Sequence, residues 1–215
     1  MPYHLRLYAD RLSAGEAREL GAGAPRALYL REGAVTIAAG ATVASLAPNS
    51  AWHGAGALAL SAGAGGAQLL RFELVAAAEG PAPLILSPAL ALDPKADYLL
   101  RCDRVEFPPG GVAYRHTHQG PGLRCLVLGS IRIDAGGTSH SYRPGEAWFE
   151  NGVDPVFAAG SDTETTAFIR VMVLPRALVG KSSIRYVDEA DKDKPRLQRY
   201  QIYIDHPIAL PGSRA

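Results

Sequence analysis

The sequence predicts an all-β protein built from two copies of one β unit. Three observations predict it. Short runs of strand composition are divided by glycine and proline turns along most of the 215 residues. The chain resembles itself: Pro25, Gly33, Ile37, Gly40, Pro48, Ala51 and Trp52 recur 96 positions later as Pro121, Gly129, Ile133, Gly136, Pro144, Ala147 and Trp148. Arg71 and Arg170 continue the series at an offset of 99, as a loop insertion would cause.

In chain order, residues 3–8 read as a strand, and Ser13 to Leu20 as a short helical turn with Ser13 as N-cap and Glu16 three residues on. Strands follow at 28–37, 42–46, 50–60 and 68–75. The glycine-rich Ala62-Gly63-Ala64-Gly65-Gly66 has strand sequence on both sides, so it predicts a hairpin turn and not a phosphate loop, which needs a following helix. Pro81, Pro83, Pro88 and Pro94 each remove a backbone donor, which places a linker at 79–96 between a first unit, 1–78, and a second, 97–176. Strands of the second unit are expected at 98–106, 112–118, 123–133, 138–142, 146–150 and 165–174. A tail, 177–215, carries a charged stretch and then a strand at 198–205 suited to covering a sheet edge of its own chain or of a partner.

Composition narrows the function classes. A 47% hydrophobic and 20% charged chain describes a soluble globular protein large enough for a full core. The net charge of +1 gives no electrostatic reason to expect nucleic acid or a membrane surface. Cys102 and Cys125 have neither zinc spacing nor a disulfide-framework count, and the N-terminus lacks an apolar signal core, so a cytoplasmic setting is expected.

The densest cluster of donor side chains is His116-Thr117-His118, between Gly110 and Gly129. On a strand, residues two apart share a face, so both imidazoles project to one side, within reach of one metal ion. This stretch resembles the first motif of the cupin superfamily, whose pattern is matched by Gly110, His116, His118 and Gly129, with Gly122 in the place of the family's glutamate. Pro144-Gly145 and the following residues resemble the second motif, whose histidine position falls near Val156. The resemblance implies two cupin-type jelly-roll barrels (double-stranded β-helices) in one chain, a bicupin. At offset 96 the places of His116 and His118 hold Leu20 and Ala22, so the N-terminal copy reads as scaffold.

Strand parity turns Tyr114, His116, His118, Gly122 and Arg124 inward, and Trp148 and Glu150 inward together on a later strand. Two roles are open to Glu150: third ligand beside His116 and His118, or ion-pair partner of an inward Arg124. Arg124 suits bidentate recognition of a carboxylate, with Tyr114 and Trp148 as pocket walls. The resemblance implies a divalent metal, Fe(II) or else Mn, Ni or Zn, together with a small organic acid, and O2-dependent dioxygenase chemistry. The alternative is a non-catalytic binding or sensing pocket with no native metal. No catalytic residue is assigned, and a homodimer is expected by analogy with the family.

Overall fold

The computed structural model describes residues 2–76, 80 and 83–212. Strands dominate, and the helical elements among the described residues are two single 3-10 turns, Arg176–Leu178 and Glu189–Asp191. No helix among them is long and apolar enough to cross a membrane. The chain divides into two compact units, Met1–Ala96 with Ile208–Ala215, and Asp97–Pro207.

In the first unit, β1 (Tyr3–Leu12), β2 (Ala17–Leu20), β3 (Arg26–Ala39), β4 (Thr42–Leu46), β5 (Ser50–Gly54), β6 (Leu58–Val75), β7 (Leu84–Leu86) and β8 (Ala89–Leu90) make one eight-stranded hydrogen-bonded sheet. Its main path is β4-β3-β6-β1-β7, with β2 on β6, β5 on β3 and β8 on β1. Its core is aliphatic, with Leu12, Leu28, Leu30, Ile37, Leu60 and Leu69 among the buried residues.

Three expectations are corrected here. The Ser13–Glu16 pair does close a turn, with Ser13 N–H donating to Glu16 Oε2 at 2.9 Å, but Ala17–Leu20 then pairs with β6 as a strand instead of continuing a helix. The glycine-rich 62–66 segment is no hairpin: it lies inside the single strand β6, where the register against β3 shifts between Gly33 and Val35. Gly33 and Gly66 both have positive φ, +82° and +74°, and a Cβ on Gly33 would stand 2.0 Å from the Gly66 carbonyl oxygen, so this bulge needs glycine on both strands. Of the expected linker 79–96, residues 79, 81 and 82 lie outside the described ones, and the remainder is not free, because its β7 and β8 extend the first unit's sheet along β1.

The second unit has two five-stranded sheets. One runs β13 (Thr138–Tyr142), β12 (Ile131–Ala135), β15 (Val156–Gly160), β10 (Val112–His118), β17 (Ile184–Tyr186). The other runs β14 (Ala147–Glu150), β11 (Gly122–Leu128), β16 (Thr166–Pro175), β9 (Tyr98–Phe107), β18 (Arg199–Ile208). The tail as far as Pro207 therefore belongs to this unit, and the part from Ile208 falls with the first: β17 and β18 each cover an edge, and the boundary expected at 176 falls inside the second unit. Gly129-Ser130 splits the expected strand 123–133 into β11 and β12.

The interior of the second unit is layered. Val105, Phe107, Leu126, Ile133, Trp148 and Phe168 form an apolar cluster, and Leu99, Met172 and Leu174 form a smaller one. Between them on the same strands lie Asp103, Arg124 and Arg170, at positions where strand alternation turns side chains to the same face as the apolar residues.

The registers of the two units match across this layer. Trp148 pairs Arg124, Arg124 pairs Arg170 and Arg170 pairs Asp103; in the first unit Trp52 pairs Leu28, Leu28 pairs Arg71 and Arg71 pairs Tyr8. The sequence repeat is thus a repeat of strand register.

Candidate functional site

β10 delivers His116 and His118 to the interior, 5% and 6% exposed, with ring centroids 4.9 Å apart and edge to face. The register of β10 against β15 shifts between Ala113 and His116, and this bulge breaks the parity assumed for Tyr114. Ala113 takes the core position instead, and Tyr114 stands with its ring under the Lys194 ammonium, lining neither cavity of this unit described below. Tyr114 contributes its carbonyl, which lies 2.7 Å from His116 Nδ1.

Arg124 is 1% exposed, as inward parity predicted. Its Nη1 donates to the Gly122 carbonyl at 2.7 Å, and its Nη2 lies 2.7 Å from Glu150 Oε2. The second contact is ionic and falls outside hydrogen-bond geometry. Glu150 is held on its other oxygen by Trp148, whose Nε1 donates to Oε1 at 2.9 Å. Of the two roles open to Glu150, the structure shows the ion pair. His118 Nε2 stands 3.7 Å from the same Oε2. Trp148 does not line the cavity that holds the histidine; it stacks on Tyr142 at 4.8 Å in the apolar cluster and positions Glu150.

Three residues outside the sequence reading complete the site. Arg170 donates from Nε and Nη2 to the two oxygens of Asp103, at 2.9 and 2.7 Å, and its Nη1 stands 3.4 Å from His118 Nε2. Ser183, in the tail before β17, places Oγ 3.3 Å from His118 Nδ1. Arg170 and Asp103 were detectable, since each is a charge in a strand whose neighbours two residues away are mostly apolar. Ser183 carries no such signal.

Electrostatics follow from this burial. Desolvation, then the Arg170, Arg124 and His116 charges, hold the His118 imidazole well below its usual range. Burial also lowers His116, opposed by the Tyr114 carbonyl and by Glu150. Both rings are neutral at neutral pH. Burial pulls the Arg124 guanidinium down to about 10, against the pull of Glu150. Burial disfavours charged Arg170 too, but attraction and hydrogen bonds from Asp103 outweigh it and leave its pKa raised.

A cavity of about 320 Å³ opens between the edge strands β17 and β18. Its wall includes His118, Arg170, Asp103 and Ser183 on the inner side and Tyr186, Tyr200 and Ile202 on the outer. A second cavity, about 260 Å³, lies at the opposite edge near β13 and β14 and includes Trp148 and Glu150.

The donor set decides whether a divalent metal fits. His116 Nδ1 carries its proton toward the Tyr114 carbonyl, which leaves Nε2 as its lone-pair nitrogen. His118 Nε2 faces the Arg170 guanidinium, and Glu150 Oε2 faces the Arg124 guanidinium. A metal between those atoms would stand beside two buried positive charges. Among the described residues no three His, Cys, Asp or Glu are grouped to hold a metal. As arranged, these residues do not fit one.

No protein-family model matches the chain, and no curated protein matches it. Solved structures do. The Bacillus subtilis oxalate decarboxylase (a DEL162-163 mutant) has a TM-score of 0.67 at 11% identity, over 89% of this chain and 73% of that one. A structure of the same enzyme from work on its Mn(II) centres has a TM-score of 0.67 at 10% identity, over 89% and 73%. AerE from Microcystis aeruginosa has a TM-score of 0.59 at 7% identity, over 80% and 87%. A Cupin 2 conserved barrel domain protein from Leptotrichia buccalis has a TM-score of 0.50 at 18% identity, over 80% and 84%. At such identities the likeness speaks to fold alone, and the fold of this chain is the all-β jelly roll of cupin-fold proteins.

Proposed function

We propose that the second unit is a metal-independent pocket for a small organic acid. The observation that carries this reading is the charge of the cavity wall: Arg170, Lys181 and Arg196 stand there against Asp103, beside an Arg101 already paired with Asp205. Asp103 engages Nε and Nη2 of Arg170, and Nη1, at the buried end of the cavity and 3.4 Å from His118 Nε2, has a second N–H to donate to a carboxylate. Tyr186, Tyr200 and Ile202 suit an aromatic or aliphatic remainder, so the ligand class is an amphipathic monocarboxylate. The pocket binds or senses its ligand. The first unit is scaffold, as in a bicupin with a degenerate first copy. A cytoplasmic homodimer completes the reading: Cys102 and Cys125 are buried with no disulfide, and net charge gives no reason for nucleic acid or membrane.

A second reading, a metal-dependent dioxygenase using Fe(II), Mn, Ni or Zn, draws on the two neutral imidazoles sharing one face with Glu150 3.7 Å from His118. It requires Arg124 to leave Glu150. Calorimetry with benzoate and benzamide, on protein purified without a histidine tag and assayed for metal, separates the two. Benzoate binding to metal-free protein, absent for benzamide and lost in Arg170→Gln, supports the acid pocket. Stoichiometric metal lost in His116→Ala, with benzoate binding only when metal is present, overturns it.

A further inference from the structure

Among the described residues Arg124 heads the fully buried side chains by size, and it lies in a layer that also holds two histidines and two carboxylates. Its guanidinium does two things at once. Nη1 closes back on the Gly122 carbonyl, and Nη2 meets Glu150 Oε2. The same oxygen is 3.7 Å from His118 Nε2, a separation at which one cation can be shared. The cation at Oε2 is Arg124's own, while the one beside His118 Nε2 is Arg170, already bound to both oxygens of Asp103.

Gly122 reinforces this. A Cβ there would stand 2.5 Å from the Val171 carbonyl oxygen and 2.7 Å from Met172 Cγ, so no carboxylate side chain fits at that position without moving backbone. With Gly122 closed to a side chain and Asp103 bound through both oxygens to Arg170, the carboxylate left in this layer among the described residues to complete a ligand set with His116 and His118 is Glu150, and Arg124 holds it. A divalent ion entering beside this guanidinium meets a like charge in a medium that screens poorly.

We propose that Arg124 is a built-in replacement for a metal ion: it occupies Glu150, keeps divalent cations from the His116–His118 pair, and its replacement by leucine opens a metal site made of His116, His118 and Glu150. The first unit shows that leucine suits this place in a sheet, because Leu28 holds the corresponding register position beside Trp52 and Arg71.

The test uses the whole, tag-free chain, stripped with chelator and dialysed against Co(II). Wild type is expected to retain only trace cobalt by elemental analysis. Arg124→Leu should retain a stoichiometric amount and show the visible absorption bands of protein-bound Co(II). The bands should disappear in Arg124→Leu/Glu150→Gln and in Arg124→Leu/His116→Ala. Arg124→Lys, which keeps the charge, should stay cobalt-poor. Folded Arg124→Leu without cobalt overturns the proposal. So does stoichiometric cobalt in the wild type that is lost on His116→Ala, a measurement that decides against it even if the leucine variant does not fold. Failure of benzoate to bind wild type would remove the acid reading and leave this comparison untouched.

Discussion

Arg124 and Arg170 stand directly opposite one another on the adjacent strands β11 and β16, each with its own carboxylate, Glu150 and Asp103. Like charges in register across a sheet repel, so each guanidinium depends on its partner. The two pairs make a neutral polar layer within an apolar barrel. Removing either acid leaves an uncompensated buried cation.

Glu150→Gln tests that dependence. It retains the shape and an oxygen for Trp148 but takes the charge from beside Arg124. Stability should fall by about 3 kcal/mol, in line with breaking other buried pairs. Urea denaturation measures it, and a change below about 0.5 kcal/mol, the size of an ordinary surface substitution, would show that Arg124 has another means of compensation.

Arg170→Gln should weaken benzoate binding by about tenfold or more, the effect of one charge-assisted hydrogen bond. Calorimetry reads it. Loss of the native near-ultraviolet circular dichroism in the variant would show that the pocket has merely distorted.

Stability should decline as pH falls below the ordinary histidine value of 6.5. Both imidazoles have lowered values in the folded chain, so between those values and 6.5 the unfolded chain binds more protons, and protonation favours unfolding. Each histidine adds a slope of at most about 1.4 kcal/mol per pH unit. The slope fades over about one pH unit above 6.5, where the unfolded imidazoles lose their protons as well. Denaturant midpoints at pH 7.5, 6.5 and 5.5 for wild type and His118→Gln isolate the share of His118, which should be the larger because its value is lowered further.

Gly122→Ala should cost about 1–3 kcal/mol, the usual range for an overpacked interior. The added methyl would meet backbone at 2.5 Å. A neutral result in thermal denaturation would mean that β11 and β16 separate easily.

Light scattering at micromolar concentration should give twice 22.7 kDa, the mass of a homodimer. A value near the single-chain mass would reject it.

Much of the fold could be read from the chain, since period-two alternation and the 96-residue repeat are local or self-referential signals. What failed depended on distant partners. Ser13 to Leu20 carries a helix-start pattern, but pairing with β6 decided its conformation. The 62–66 glycines looked like a turn because nothing local says that Gly33 lies opposite. At the site, parity placed His116, His118 and Arg124 correctly and misplaced Tyr114, because the bulge in β10 arises from its pairing with β15. Ser183 lay beyond reach, brought in by a tail whose docking has no sequence signature.

The order of strands also governs how the chain reaches this state. β1 pairs along its length with β6, Leu5 opposite Leu74, and β9 pairs with β16, Leu99 opposite Leu174. In each unit the first strand must wait for one synthesised far later, and beyond hairpins such as β3-β4 and β12-β13 most pairings join strands distant in sequence. High contact order of this kind places refolding in the millisecond-to-second regime. Until Glu150 on β14 and Asp103 on β9 are paired with them, the charges of Arg124 and Arg170 favour keeping water in the second interior.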